Sequence, residues 1–532
     1  MLTAIYNGLL PTVFSDEWLY SSSARLQSLS ESVTPSYLYL HLFKTTNYCG
    51  SDFLSCARIL NSIFFSFASI FIYLIARKYC TKKISLYIAV ISLLSPINSY
   101  TAYFMPEAMY YFFFWLFAWF ALTPSRPGSG IILAIMSTIK MHALFLLPAL
   151  MIYKRKFFSI IITFLIFRLL LGYLFAGKTG LTLTGIKYDY NVLSALNYSH
   201  LKIIFQNIHI PLLNHFSALI LMFGVPLLFI FKNKKSDIMI FTLSCVIFLV
   251  FITAFTTVQI DGWNVHENIN RIHMRYYNFI FPLFYIIAAM QEGLPPSARW
   301  HSFQSWILIG FIPCAVALLM QNHNISFIDS PELFGMLYNH KFFIFLSALS
   351  AICLIAGLLR EKCGARLYLF LFLPLFLITS LVFVNTELLY QRFYSKDAYD
   401  RAGQFIHDFS NIDTSTVLII GEETAGLYKT KFYIDNIHTR IYQMPLSMPM
   451  EFAKIPEGIK WILMIGDYPA LNKPDYKIAM NGYSLLHLPT QKLEKILPSK
   501  SSAVNSPVIS DNACCASRKS SAANSPERFS LS

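Results

Sequence analysis

The chain of 532 residues is too apolar to form a soluble globular protein. Hydrophobic residues make up 55% of it and charged residues 13%, with a mean hydropathy of +0.52, whereas about a quarter of the residues in a soluble domain are charged. The net charge of +14 fits the excess of cytoplasmic Lys and Arg that orients membrane proteins, so we predict a membrane partner and no nucleic acid.

The first 14 residues are apolar but shorter than the roughly 20 residues that a helix needs to cross a bilayer. They fit a short tilted helix, an interfacial segment or the remainder of a longer helix. Asp16 and Glu17 then follow a potential helix cap at Ser15, in a first turn where the helix dipole favours carboxylates. Apolar residues recur at helical spacing, at Leu19, Leu26, Leu29 and Val33. This pattern predicts an amphipathic helix on the outer membrane surface, in which the two acids either cap the helix or carry chemistry.

Ten apolar stretches have a length close to that of a membrane span. They are residues 58–76, 84–103, 105–122, 157–176, 211–231, 237–258, 276–291, 304–320, 342–359 and 366–385. A further stretch, 130–153, carries Lys140 and His142 at its centre, where ionisable groups are costly, so we predict two short helices that form a hairpin. The sequence thus predicts an all-α polytopic membrane protein of about 11–13 transmembrane helices.

The loops between these stretches differ in their content of Lys and Arg. Six short loops hold fifteen of them, at Arg77, Lys78, Lys82, Lys83, Arg126, Lys154, Arg155, Lys156, Lys232, Lys234, Lys235, Arg299, Arg360, Lys362 and Arg366. The opposite loops are much longer and hold eight. Short basic loops stay in the cytoplasm. We therefore predict that residues 15–56, 103–106, 177–210, 259–275, 321–341 and everything after 386 lie outside.

The nine cysteines show no spacing typical of a metal site. Cys49 and Cys56 share one predicted outer loop, where a disulfide and two free thiols are both consistent with the sequence. His266 and Glu267 do not complete a zinc-protease motif, because residue 270 is Asn rather than His.

The composition changes abruptly after Glu387. We predict a helix over 401–409 and strands at 417–420, 431–434, 459–465 and 483–488. The stretch 421–426 lacks the spacing of a phosphate-binding loop and predicts a strand-to-helix turn. The chain should thus divide into a transmembrane module over 1–385 with its first outer loop at 15–56, a small extracytoplasmic α/β domain over 386–490, and a disordered low-complexity tail over 491–532.

Two further charged sites stand at predicted outer ends of spans. Glu107 follows Pro106 and opens an uncharged run, where it either offsets the helix dipole or contacts substrate. Arg271 and Arg275 stand at an outer helix start, against both the positive-inside rule and the dipole. Because Arg binds phosphate oxygens bidentately, a lipid phosphate is the expected partner, with or without catalysis.

The order of these motifs resembles that of the GT-C glycosyltransferases, which take sugars from polyprenyl-phosphate carriers. Relatives include protein O-mannosyltransferases and bacterial lipid A aminoarabinose transferases. Four family features are matched in order: an Asp-Glu pair with an aromatic (Asp16-Glu17-Trp18), an acid opening a later span (Glu107), a Lys-containing break between short helices (Lys140), and an Arg-Tyr pair before an apolar helix (Arg275-Tyr276). The family usually has a complete helix before the Asp-Glu pair, and Arg271 is here an alternative to Arg275.

The resemblance implies an inverting transferase in the plasma (inner) membrane, with its site on the periplasmic or extracellular side. The donor would be a polyprenyl-phosphate sugar, and the acceptor a glycan, lipid or protein. The implied catalytic pair is Asp16, as general base, with Glu17. The implied substrate-binding residues are Glu107, Lys140, Arg271, Arg275 and Tyr276, with the cations stabilising the leaving phosphate. The resemblance implies no particular cofactor, and a divalent metal held in part by Glu107 stays open.

Two other functions compete with this prediction. A polysaccharide polymerase or O-antigen ligase also relies on outer arginines, but usually concentrates its outer mass in a mid-chain loop. A multipass lipid or solute transporter would show repeats and mid-membrane charges, whereas no repeat is found across the spans and few ionisable residues lie inside them.

Overall fold

The computed structural model describes residues 9, 11, 14–123, 128–155, 157–183, 198–232, 236–262, 267–291, 303–322, 324–393, 396–409, 412–447, 455–468 and 476–488. The predictions for the tail at 491–532, for His266 and for nearly all of residues 1–14 lie outside these ranges.

Most of the longer helices of the described chain follow the apolar stretches of the sequence. Shorter helices, such as Tyr37–Phe43, Tyr198–Asn207 and Pro331–Leu337, lie in segments that were predicted to be outer loops. The helices are α1 (Phe14–Arg25), α2 (Tyr37–Phe43), α3 (Phe53–Ala76), α4 (Lys82–Leu93), α5 (Glu107–Ala121), α6 (Ser129–Ser137), α7 (Leu147–Lys154), α8 (Phe157–Ala176), α9 (Tyr198–Asn207), α10 (His209–Lys232), α11 (Asp237–Ile260), α12 (Phe281–Met290), α13 (Phe303–Gln321), α14 (Pro331–Leu337), α15 (His340–Leu359), α16 (Glu361–Leu367) and α17 (Leu373–Phe393). Short 3₁₀ turns include Lys44–Asp52, Pro96–Ala102, Met141–Leu146, Met274–Tyr276 and Asn278–Ile280.

Several of these helices are long enough to cross a membrane. Among the described residues, six segments are both long and apolar enough: Tyr37–Ala76, Phe157–Gly180, His209–Ile230, Asp237–Ile260, His340–Leu359 and Glu361–Tyr390. A further pair, Lys82–Leu93 and Pro96–Ala102, is bent by 49° at Ser95, which is extended because it precedes a proline. The remaining apolar helices include the shorter Met141–Lys154, Asn278–Met290 and Ile309–Gln321. The chain is therefore an integral membrane protein of the predicted all-α class, in which several predicted spans are short or broken helices.

The first helix is shorter than the sequence pattern predicts. It ends at Arg25 rather than near Val33. Beyond it, the N–H of Glu31 donates to the main-chain oxygen of Ser28, and the N–H of Thr34 donates to a serine hydroxyl. Serine side chains offer the backbone such local partners and so favour turns over continued helix.

The predicted hairpin at 130–153 does contain two short helices. Between α6 and the 3₁₀ turn that leads into α7, Lys140 is extended, with φ −147° and ψ 125°. This break turns the Lys140 side chain away from both helix axes and toward the core helix α5.

The core of the membrane module is built around α5. The ring of Tyr111 stacks on Phe65 of α3, with centroids 5.0 Å apart, and Phe114 meets Phe279 at 4.7 Å. These aromatic contacts pack α5 against its neighbours. Glu107, at the first position of α5, is only 7% exposed. A carboxylate at that depth needs a charged or hydrogen-bonding partner.

A small α/β module follows the membrane helices, as predicted. Its elements are α18 (Ala398–Asp408), β1 (Val417–Gly421), α19 (Thr424–Ile434), β2 (Arg440–Gln443), β3 (Trp461–Ile465), β4 (Tyr476–Met480) and β5 (Tyr483–His487), in the sheet order β2-β1-β3-β5-β4. Strand β1 is parallel to β2 and β3, whereas β5 is antiparallel to β3 and β4. Every residue of β1 is buried, as expected of a central strand covered on both faces.

One strand prediction in this module is wrong. Residues 431–434 form the last turn of α19 instead of a strand. Because β1 and β2 are parallel, the chain must cross over between them, and a helix is the usual connection. This tertiary requirement overrides the local preference of the run for a strand. The predicted strand-to-helix turn is confirmed, since β1 ends at Gly421 and α19 begins at Thr424.

Candidate active site

The first turn of α1 carries the predicted Asp-Glu pair, but the two carboxylates face different partners. Glu17 is fully buried, and its Oε1 accepts a hydrogen bond from the main-chain N–H of Phe104 at 2.9 Å. Asp16 lies one residue earlier, about 100° away around the helix axis. Its Oδ2 is 3.1 Å from Nη1 of Arg275. Glu17 therefore anchors α1 to the turn that precedes α5, whereas Asp16 faces the arginine.

A second ion pair joins two more of the predicted site residues. The Nζ atom of Lys140 lies 2.8 Å from Oε1 of Glu107. Both side chains are less than a tenth exposed, at 8% and 5%. Removing one partner of such a buried pair leaves an uncompensated charge, which is strongly destabilising. The extended break thus places the Lys140 cation where it compensates the buried Glu107 carboxylate at the start of α5.

One cavity borders this pair and Arg275. It has a volume of about 10 Å³ and is lined by Ile97, Tyr100, Glu107, Tyr110, Lys140, Arg275, Asn278 and Phe279. The wall combines two cationic groups and a carboxylate with aromatic rings. A few polar groups in a mostly apolar wall are the lining expected of a ligand site. The cavity itself has room for about one water molecule, so a headgroup can meet these side chains only if the walls move apart.

Tyr276 connects the two cations that border the cavity. Its hydroxyl accepts a hydrogen bond from Nη2 of Arg275 at 3.1 Å, and Nζ of Lys140 lies 5.1 Å from the centre of its ring. The imidazole of His142 stacks on the same ring, with centroids 4.3 Å and planes 10° apart. In the sequence, His142 stands out only as a polar residue of the predicted hairpin. The structure places it next to the site.

The structure adds a carboxylate that sequence reasoning missed, Asp329. Nε and Nη2 of Arg271 lie 2.9 and 2.5 Å from its Oδ2, and Nε of Arg275 lies 3.3 Å from its Oδ1. Its main-chain oxygen also accepts the N–H of Arg275 at 2.7 Å. Burial acts to raise the pKa of Asp329, but Arg275, then His273 and Arg271, hold that pKa well below its usual range. Two acids in the predicted outer loop 321–341 were the available signal.

The two arginines differ in what they face. Arg271 pairs with Glu267 at 2.9 Å as well as with Asp329. Arg275 also contacts Asp329, but it reaches Asp16 and lines the cavity. Among the described residues that line this cavity, Arg275 is included and Arg271 is not. Of the two alternatives, Arg275 is therefore the one that borders the cavity.

The structure also bears on the cysteine pair and on metal binding near the site. Cys49 and Cys56 form a disulfide that joins the 3₁₀ turn Lys44–Asp52 to α3, so the disulfide is the alternative that the structure contains. Within the described ranges, no group of three or more His, Cys, Asp or Glu side chains is placed to hold a metal ion.

Comparison with known proteins finds similarity in structure but not in sequence. No protein-family model and no curated protein matches the chain. Two solved structures are similar: ArnT from Cupriavidus metallidurans in the apo state (11% identity, TM-score 0.47), and the same protein bound to undecaprenyl phosphate (10% identity, TM-score 0.49). Each similarity covers 91% of this chain and 95% of the ArnT chain.

Proposed function

We propose that this protein is a membrane glycosyltransferase that moves a sugar, with inversion, from a polyprenyl-phosphate carrier to an acceptor outside the cytoplasm. The observation that carries the proposal is the meeting of Asp16 with Arg275 at 3.1 Å, beside a cavity that Lys140 also lines. A base and two phosphate-binding cations are the groups that such a transfer needs.

The reaction assigns one task to each side of this arrangement. The acceptor hydroxyl oxygen forms a bond to the anomeric carbon, and its proton passes to the carboxylate of Asp16. The bond between that carbon and the phosphate oxygen breaks, so the polyprenyl phosphate leaves with an added negative charge. Arg275 and Lys140 stabilise this charge in a site whose low dielectric strengthens the interaction.

The pairing of Asp16 with Arg275 suggests how donor binding prepares the base. The donor is a phosphodiester, which shares one negative charge between two free oxygens and can therefore pair with the Arg275 guanidinium as the Asp16 carboxylate does. The donor would then take over guanidinium hydrogen bonds that now face Asp16. The carboxylate is left available for the acceptor hydroxyl once the donor is in place.

Glu107 supports the cations in this proposal. Its contact with Lys140 compensates a buried charge and sets the position of Nζ at the cavity wall. The same carboxylate is available to the hydroxyl groups of the sugar, as the resemblance implies. Tyr276 holds the guanidinium of Arg275 from one side through its hydroxyl.

The positions of these residues along the chain support the predicted sidedness. Segments 15–56, 103–106, 259–275 and 321–341 were all predicted to lie outside. The structure joins members of all four at one place, through the Asp16–Arg275, Glu17–Phe104 and Arg275–Asp329 contacts. We therefore propose a site at the non-cytoplasmic face of the plasma (inner) membrane, where lipid-linked donors replace nucleotide sugars.

The test is mass spectrometry of surface glycans and lipid A from cells with the wild type, a deletion, or the deletion complemented by Asp16→Asn. We expect the deletion to lose one sugar and Asp16→Asn to fail to restore it while reaching the membrane at the wild-type level. Glu31→Gln, at an exposed acid beyond the end of α1, is the matched control and should restore the sugar. Full restoration by Asp16→Asn would refute the proposed chemistry and favour a polymerase or a transporter.

A further inference from the structure

The C-terminal module contacts the helix that carries Asp16. Arg25, the last residue of α1, donates from both terminal nitrogens to the carboxylate oxygens of Asp435, which directly follows α19. On the same pair of helices, Nζ of Lys431 lies 5.3 Å from the centre of the Trp18 ring. The side chain of Arg25 is 4% exposed. Helix α19 of the C-terminal module thus lies directly against α1.

Phe53 is a second part of this contact. The guanidinium of Arg25 lies 3.4 Å from the centre of the Phe53 ring, within the range of a cation–π interaction. The same ring meets Phe432 of α19 at 5.6 Å and Phe104 at 6.1 Å between centroids. Phe53 stands between Cys49 and Cys56 in the sequence, so the disulfide encloses it in a short covalent loop.

The same set of contacts also reaches the N-terminal end of α1. The main-chain N–H of Phe104 donates a hydrogen bond to Glu17, and the ring of Phe104 packs against the ring of Phe53. Glu17 lies in the first turn of α1 and Arg25 in the last. The helix is therefore fixed at both ends by one connected set of side chains, and Asp435 and Phe432 of the C-terminal module belong to that set.

We propose that the C-terminal module is a working part of the transferase: through Asp435 and Phe432 it fixes α1, and thereby Asp16, opposite Arg275. This inference rests on the proposed role of Asp16. Arg25, Phe53 and Asp435 are positioning residues, since none of them borders the cavity among its described lining. A displacement of about 1 Å at a reacting group lowers a rate by about a hundredfold, so the anchoring of α1 matters for catalysis.

The test uses Asp435→Asn in the purified full chain. Asp435 has a φ of +54°, and Asn is among the residues that tolerate this left-handed region, so the backbone is retained while the charge is lost. We expect kcat to fall about tenfold or more with the KM for the donor unchanged. The midpoint of thermal unfolding should fall as well, because the substitution removes the charge that faces the buried Arg25. Asp408→Asn, an exposed acid of the same module, is the matched control and should leave kcat unchanged.

A double-mutant comparison separates positioning from general damage. If Asp435 acts through Asp16, adding Asp435→Asn to Asp16→Asn should not lower the residual rate further. Hydrogen–deuterium exchange should also rise in residues 14–25 of Asp435→Asn and not in Asp408→Asn.

Each failure has a distinct meaning. The positioning role is overturned if Asp435→Asn leaves kcat unchanged. It is also overturned if adding Asp435→Asn lowers the rate of the wild type and of Asp16→Asn by the same factor. Either result leaves the assignment of Asp16 as the base intact. Full activity of Asp16→Asn alone overturns the proposed function instead.

Discussion

The carboxylate of Asp16 lies 3.1 Å from the guanidinium of Arg275, although 259 positions separate the two residues in the sequence. The contact joins the first helix of the described chain to the loop before α12. It puts a carboxylate next to a guanidinium, which is the combination that the proposed transfer from a lipid phosphate requires. Neither segment alone contains both groups.

The first prediction separates the chemistry of Asp16 from donor binding. Asp16→Asn should lower kcat by about 10²- to 10⁴-fold, the usual range for loss of a general base. The KM for the polyprenyl-phosphate donor should not rise, because the substitution removes an anion beside Arg275. Steady-state kinetics on the purified protein measure both. A raised KM with an intact kcat would make Asp16 a binding residue rather than the base.

The buried pair of Glu107 and Lys140 allows function to be separated from stability. Lys140→Met alone should destabilise the protein by about 3 kcal/mol, because it leaves the buried carboxylate without its cation. The double substitution Glu107→Gln with Lys140→Met should recover most of that stability but not the activity. Thermal unfolding and transfer assays on the same preparations test this. Recovery of activity in the double variant would show that Lys140 has only a structural role.

Asp329 should contribute to stability in a pH-dependent manner. Its folded-state pKa is held well below the usual range by Arg275, His273 and Arg271 against the opposing effect of burial. A lowered carboxyl pKa stabilises the fold at pH values above the unfolded pKa of about 4, and this contribution is lost as the pH falls below it. Asp329→Asn should therefore lower the unfolding midpoint at pH 7, and the difference from the wild type should shrink below about pH 4. A constant difference across pH would contradict the assignment.

The disulfide should matter for activity through Phe53. We expect the double variant Cys49→Ser with Cys56→Ser to lose about tenfold in kcat, because Phe53 is then less restrained beneath Arg25. Reductant should lower the wild-type rate to the same level and leave the double variant unchanged. Cys363→Ser, at an exposed free cysteine, is the control and should keep both the rate and the response to reductant. Full activity of the double variant would rule out this role for the loop.

The sequence pattern located most of the candidate site, for reasons that differ from residue to residue. Lys140 stood out because a cation is costly in an apolar stretch, and the structure pairs it with Glu107. Arg275 stood out because it opposes the positive-inside rule. Asp329 had no comparable signal, since an acid in a loop is ordinary. The strand expected at 431–434 failed for a similar reason, because its conformation is set by the crossover between β1 and β2 rather than by its own residues.

The sequence by itself determined the membrane class, the places of the apolar helices and the short list of charges that lipid makes expensive. These properties depend on local composition, because each segment partitions into lipid largely by its own side chains. Only the tertiary structure decided that Asp16 rather than Glu17 faces Arg275, that Arg275 rather than Arg271 lines the cavity, and that Asp329 holds both arginines. Those distinctions arise from contacts between residues 54 to 259 positions apart. Local periodicity carries no information about which distant side chains will meet.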